Sequence, residues 1–111
     1  MKKNLAALAG IYVLCLALVS LLWQRPLVLA GGYGLLSLAM LYKWHTRGDL
    51  AFYFVAFTLG PAGEMVAIRF GAWRYAEPFY LIPLWLPLLW GIAALFGKRI
   101  TEVLVATRQS P

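Results

Sequence analysis

Charge is scarce in this sequence, and acidic charge is the scarcest. Of the 111 residues 13% are charged, with four acidic residues against ten basic ones, whereas soluble globular domains carry about 25% charged residues. The uncharged runs cover residues 4–24, 26–42, 50–63 and 78–97. A helix of roughly 20 apolar residues crosses a bilayer core of about 30 Å. The lack of charge therefore excludes an ordinary soluble domain and predicts an all-α, polytopic membrane protein.

Metal-ligating and nucleophilic side chains are almost as rare. The single cysteine, Cys15, excludes an intrachain disulfide, and the single histidine, His45, lies in a basic loop. The sequence contains no spacing typical of a metal site, a phosphate-binding loop or a nucleophile–base pair, so we predict no metal and no cofactor. The basic residues separate apolar runs instead of forming an aromatic-rich patch, and we therefore predict no nucleic-acid partner.

The apolar runs predict a single domain, a bundle of four transmembrane helices. The first run follows two lysines, as in a secretory signal, but it ends in bulky residues without a small-residue cleavage site. We expect it to be an uncleaved span. The predicted spans cover about residues 4–23, 27–42, 50–70 and 79–97, and Asp49 is the predicted N-cap of the third.

The positive charges predict the orientation of the bundle. Four spans put both termini on one side, and that side carries seven basic residues against three on the other. Because basic loops stay in the cytoplasm, we expect a protein of the bacterial inner membrane with both termini cytoplasmic. The seven are Lys2, Lys3, Lys43, Arg47, Lys98, Arg99 and Arg108, and the three are Arg25, Arg69 and Arg74.

Glu64 is the acid that lies deepest in a predicted span. Ionisable residues at such depth usually face the protein interior or a cavity, and removal from water disfavours a charged carboxylate. Glu64 is therefore a candidate catalytic acid, and a structural hydrogen bond or ion pair is the alternative. Arg69 lies about 140° round an ideal helix from Glu64, and Arg74 could fold back from the following turn. Both arginines are candidate partners in catalysis.

The surroundings of Glu64 predict a ligand pocket. Gly60, one turn before the acid, lets a helix or ligand come close, and Pro61 should kink the span. In the fourth span two prolines and a tryptophan share one face, which we expect to meet the Glu64 face, whereas Trp85 points the opposite way, to lipid or a partner subunit. The predicted ligand-binding residues are Gly60, Trp73, Tyr75, Tyr80, Pro83, Pro87 and Trp90.

A family pattern runs through the same region. The run E-x6-G-x-W-x-Y, realised as Glu64, Gly71, Trp73 and Tyr75, precedes IPLWLPLLWG at residues 82–91. It resembles small bacterial membrane-protein families of unknown function with a GxxGE span and a PLWLxxLW span. More distantly, it is similar to the carotenoid hydratases and the membrane lycopene cyclases. That resemblance implies a buried acid acting on a polyene end.

Three function classes stay open at the level of sequence. The first is a small integral membrane protein that binds a lipid or isoprenoid at a pocket around Glu64, or that acts as an assembly subunit. The second is a membrane enzyme of isoprenoid or carotenoid acid chemistry, and the third is a proton-coupled small transporter. The expected partners are membrane lipids, an apolar isoprenoid ligand, and a second copy or partner membrane subunit.

Overall fold

The computed structural model describes residues 2–75 and 82–109, and the side chains of 5–75 and 82–106. Its four helices are α1 (Lys2–Leu22), α2 (Pro26–Lys43), α3 (Arg47–Arg69) and α4 (Leu86–Gln109). The predicted all-α class is confirmed. The helices α1, α2 and α3 are long and apolar enough to cross a membrane.

Local sequence signals explain the ends of α2 and α3. Pro26 is the first residue of α2. A backbone N–H at this position has no intrahelical partner, so a proline there costs no hydrogen bond. Thr46 caps α3 and accepts from the Asp49 N–H, while the Asp49 side chain accepts from the Thr46 N–H. Asp49 is thus the third residue of a capping box, and its prediction as the N-cap was wrong by three positions.

Gly71 closes α3. Its φ of +86° lies in the left-handed region, where glycine carries no Cβ penalty. The Gly71 N–H donates to the Ile68 carbonyl at 2.9 Å, and the Ala72 N–H donates to the Ala67 carbonyl at 3.0 Å. These two bonds form a Schellman motif, which turns the chain away from the helix axis toward Tyr75.

The fourth helix differs from the prediction. It begins at Leu86 and continues to Gln109, later and longer than the predicted span 79–97, whose residues 79–81 lie outside the described part. Pro83 precedes the helix and Pro87 occupies its first turn. A proline in the first turn breaks no intrahelical hydrogen bond, so Pro87 marks a helix start. The shared proline face that we expected there does not occur, because Pro83 lies before the helix.

α4 is the centre of the bundle. It packs most extensively on α3 and also contacts α2 and α1, while α1 packs on α2. Asp49 pairs with Lys98 at one end of the α3–α4 contact, and Glu64 meets Trp90 at the other, so the two helices are antiparallel. We call these the Asp49 end and the Glu64 end. The fully buried core includes Leu8, Leu29, Tyr33, Ile92 and Leu95.

Tyr53 joins three helices. Its hydroxyl donates to the Ser37 Oγ of α2 at 2.6 Å, and its ring lies against the backbone of α4 at Gly91. A Cβ at Gly91 would lie 2.6 Å from two carbons of that ring, far inside the 3.5–4.0 Å or so at which carbon atoms pack. Gly91 is therefore required for this approach of α4 to α3.

We predict that Gly91→Ala destabilises the bundle, because the new methyl group must displace Tyr53 and its bond to Ser37. Overpacking of this kind costs roughly 1–3 kcal/mol, which should appear as a lower midpoint of thermal unfolding in detergent. Gly97→Ala is the matched control on the same helix, since a Cβ there meets nothing within 4 Å. Equal midpoints for the two variants would contradict the proposed role of Gly91.

Candidate functional site

The Glu64 carboxylate joins three separate parts of the chain. The hydroxyl of Tyr75, in the segment after α3, donates a hydrogen bond to Glu64 Oε1. The indole Nε1–H of Trp90, in α4, donates one to Glu64 Oε2. Glu64 is half-buried, and Trp90 is 37% exposed. Together with Gly60, these residues form what we call the Glu64 cluster. The cluster lies where sequence analysis placed the candidate acid.

Gly60 positions the indole of Trp90. A Cβ at Gly60 would lie 2.5 Å from both Cγ and Cε3 of Trp90, so the ring lies against the bare backbone of α3. Glu64 follows one turn later on that helix, within reach of the indole N–H. At Gly63, by contrast, a Cβ would meet nothing within 4 Å. Two glycines in one helix thus have different roles.

Aromatic rings hold Tyr75 in place. Tyr75 contacts the edge of Trp85 with centroids 6.1 Å apart, and Trp85 in turn contacts Tyr33 at 6.0 Å. Burial, together with the hydrogen bond to Glu64, raises the pKa of the Tyr75 phenol. The phenol therefore remains a protonated donor at neutral pH. Its bond to the carboxylate fixes the segment after α3 against the bundle.

Trp85 is placed differently from the prediction. It is 6% exposed and packs in the core, whereas the helical wheel placed it on the outer face. The physical reason is that Trp85 precedes α4, so the helical period does not apply to it. Its Nε1 is buried and has no hydrogen-bond partner among the described residues. Trp85 is thus unavailable as a contact for a second subunit.

The remaining predicted site residues do not join the cluster. Arg69 and Arg74 are exposed, and among the described side chains neither forms an ion pair with Glu64. Trp73 is 47% exposed. Pro83 is buried and Pro87 half-buried near the start of α4, while Tyr80 lies outside the described residues.

The geometry presents Glu64 as a hydrogen-bond acceptor. A carboxylate has about four lone-pair sites on its two oxygens, and the Tyr75 and Trp90 bonds use one on each. A general acid must instead donate a proton to its substrate. Both Glu64 oxygens accept, so this arrangement fits the recognition of a donor group better than the protonation of a double bond.

A cavity of about 310 Å³ lies beside the α3–α4 contact, on the Asp49 side of Gly60. It is lined by Ala51, Phe52, Val55, Ala56 and Ala94. Its walls are apolar, and the small side chains of three alanines create the space. The predicted pocket was at Glu64, and the cavity at these residues was not predicted. The alanines at 51 and 56 on one helix and 94 on the next were the available signal.

A second carboxylate centre closes the other end of the same helix pair. The Asp49 side chain is 0% exposed; it accepts from Lys98 Nζ at 2.8 Å and also from Arg99 Nη2. Lys98 Nζ also contacts Glu102 at 2.9 Å, and these two carboxylates raise the pKa of Lys98. The pairs of Asp49 with Lys98 and Arg99 were not predicted, because they join residues about fifty positions apart.

Trp44 supports the same end. It is 6% exposed, with the Arg99 guanidinium 5.4 Å and the Lys43 ammonium 5.3 Å from its ring centroid. Cations at such distances are attracted to the face of an indole ring. The Asp49 centre is thus a closed, charge-compensated contact between α3, α4 and the end of α2. Within the described residues no group of three or more metal-ligating side chains occurs.

The comparisons with known proteins add no relative. No protein-family model matches the chain, no curated protein matches it, and no solved structure matches it. The resemblance to carotenoid hydratases and lycopene cyclases therefore stays a hypothesis.

We predict that Gly60→Ala separates Trp90 from Glu64, because the added methyl group would occupy the place of the indole. In ¹⁵N-labelled protein the Trp90 indole N–H resonance should move upfield, as it should in Glu64→Gln with its weaker acceptor. Gly63→Ala, the matched control one turn away, should leave the resonance in place. An unchanged resonance in Gly60→Ala would show that the indole does not depend on the glycine.

We predict that Asp49→Asn destabilises the protein strongly, since it leaves Lys98 and Arg99 without their buried counter-charge. Removing one partner of a buried ion pair costs roughly 3–5 kcal/mol, measurable by denaturant unfolding in mixed micelles. Glu102→Gln is the control, because the Glu102 side chain is 51% exposed and exposed pairs contribute about 0–1 kcal/mol. Similar losses in both variants would contradict a closed centre at Asp49.

Proposed function

We propose that this chain is a small integral membrane protein that binds a lipid- or isoprenoid-like ligand with a hydrogen-bond donor at the Glu64 cluster. The observation that carries the proposal is the half-buried Glu64 carboxylate, fixed by Tyr75 and Trp90 with acceptor capacity left over. Because Tyr75 and Trp90 already hold the carboxylate in place, a ligand donor group can bind it with little further loss of conformational entropy.

The ligand class follows from what surrounds the carboxylate. The donors that hold Glu64 belong to an indole and a phenol, and Trp85 packs edge-on against that phenol. A ligand that reaches the free lone pairs would therefore meet aromatic rings on one side and lipid on the other. An apolar body with a terminal hydroxyl or amine, as in an isoprenoid alcohol, fits both requirements.

The membrane topology is part of the same proposal. We place both termini and the Asp49 end in the cytoplasm of a bacterial inner membrane, and the Glu64 end near its outer face, from the excess of basic residues. The apolar part of α4, residues 86–97, is only about 18 Å long. We infer that a fourth crossing would also use residues 82–85, of which Trp85 is buried in the core.

The other function classes have less support. Acid chemistry on a polyene needs a proton donor, and both Glu64 oxygens accept. Proton-coupled transport needs a path that carries protons to and from Glu64, and the hydrogen bonds described for its two oxygens come from Tyr75 and Trp90. For an assembly subunit, α2 offers a surface that another helix could approach, since a Cβ at Gly31 or Gly34 would meet nothing within 4 Å.

We predict that Glu64→Gln loses most of the bound ligand. The protein would be purified in a mild detergent, and its extracted lipids would be compared with the bulk membrane by mass spectrometry. A hydrogen bond to a charged group contributes roughly 1.5–3 kcal/mol, so enrichment should fall about tenfold or more. Glu102→Gln, an exposed Glu at the Asp49 end, is the matched control and should retain the ligand.

Four results would overturn the proposal. One is a wild-type extract with no species enriched over the bulk membrane, and another is full retention of the ligand by Glu64→Gln. The third is Glu64-dependent proton flux in liposomes without any enriched ligand, which would favour the transporter. Conversion of an added polyene by the wild type and not by Glu64→Gln would favour the enzyme instead.

A further inference from the structure

The cavity beside the α3–α4 contact lies one helical turn from two basic residues, Arg47 on α3 and Lys98 on α4. Arg47, Ala51 and Val55 follow one another at intervals of four along α3, so they lie on one face of the helix. Ala94 and Lys98 do the same on α4. The two walls of the cavity therefore run toward Arg47 on one side and Lys98 on the other. The Gly48 backbone lies between them, with a Cβ at that position 3.1 Å from Lys98 Cε.

Both cations have hydrogen-bonding capacity left. Arg47 is exposed, and it forms no ion pair or side-chain hydrogen bond within the described part of the chain. Lys98 uses its ammonium for Asp49 and Glu102, and an ammonium has a third donor. The side chains described at the Asp49 end include four basic residues, Lys43, Arg47, Lys98 and Arg99, and two acidic ones, Asp49 and Glu102. The cavity therefore lies next to an end of the bundle that has a net positive charge.

The dimensions match one leaflet of a bilayer. The rise from Arg47 to Ala56 is about 14 Å along the helix axis, close to half of a hydrocarbon core of about 30 Å. The cavity walls are apolar, and they belong partly to a helix that is long and apolar enough to cross a membrane. An acyl chain of a lipid in this leaflet would lie along the apolar walls, and the polar headgroup of the lipid would lie at Arg47 and Lys98.

We infer that this cavity, which is open along one side as a groove, binds an anionic phospholipid. An acyl chain lies against Ala51, Val55, Ala56 and Ala94, and the phosphate lies at Arg47 and Lys98. Charge complementarity selects the anionic headgroup. One basic residue near the membrane surface raises the affinity for an anionic lipid about fivefold. This site lies at the opposite end of α3 from the Glu64 cluster, and it does not depend on the function proposed for that cluster.

The test uses the full chain in detergent micelles and native mass spectrometry with two lipids of identical acyl chains, dioleoyl phosphatidylglycerol and dioleoyl phosphatidylcholine. The wild type should bind the anionic lipid more tightly. Arg47→Gln should weaken phosphatidylglycerol binding about fivefold and leave phosphatidylcholine binding unchanged. Arg25→Gln, which removes an exposed arginine at the other end, should change neither.

The acyl-chain part is tested by filling the groove. Ala51→Leu should weaken binding of both lipids, and Ala94→Leu serves as a second filling variant should the first fail to fold. Ala62→Leu, on the exposed part of the same helix, is the control.

Equal binding of the two lipids by the wild type, or equal effects of Arg47→Gln and Arg25→Gln, would overturn the inference. Competition by inorganic phosphate as strong as by phosphatidylglycerol would show a free-anion site instead. Glu64→Gln should bind phosphatidylglycerol normally, which separates this result from the one on the Glu64 cluster.

Discussion

The close approach of α3 and α4 is the contact on which the rest of the molecule depends, and two glycines permit it. Each helix provides bare backbone for an aromatic ring of the other: Gly60 for Trp90, and Gly91 for Tyr53. Both rings have a polar end, an indole N–H or a phenol O–H, which usually finds a hydrogen-bond partner when the ring packs against protein. The indole N–H reaches Glu64, and the phenol reaches Ser37 of α2. One packing solution thus positions the candidate site and also connects a third helix.

The two carboxylates at the ends of this contact have opposite surroundings. Asp49 is fully buried between Lys98 and Arg99, so its charge is compensated inside the protein. Glu64 is held by the neutral donors Tyr75 and Trp90 and is only half-buried. A buried charge with full pairing has a structural role, because it cannot be approached. A carboxylate held by neutral groups retains its capacity for a further partner, and for that reason Glu64 is the functional candidate.

Sequence alone predicted much of the helical layout and the approach of Trp90 to Glu64, but not the arrangement of the fourth helix. Long uncharged runs determine helices almost without tertiary information, and adjacency along the chain was enough to bring Trp90 toward Glu64. The helical wheel failed at Trp85, because it assumed a helix that begins only at Leu86. A proline favours a kink and a helix start for the same local reason. In this chain the prolines accompany a helix start at Leu86. That start goes together with the burial of Trp85 against Tyr33 and Tyr75, which local sequence does not reveal.

The central position of α4 has a consequence for biosynthesis. This helix contacts all three others, α3 most extensively, yet it follows them in the chain. During synthesis α1, α2 and α3 therefore emerge before the helix on which each of them packs, with α1 and α2 able to pair early. Until α4 has been made, Gly60 lacks the indole of Trp90, and Asp49 lacks its two cations. Closure of the bundle therefore waits for α4, which brings the counter-charges to Asp49 and the indole to Glu64 in a single packing step.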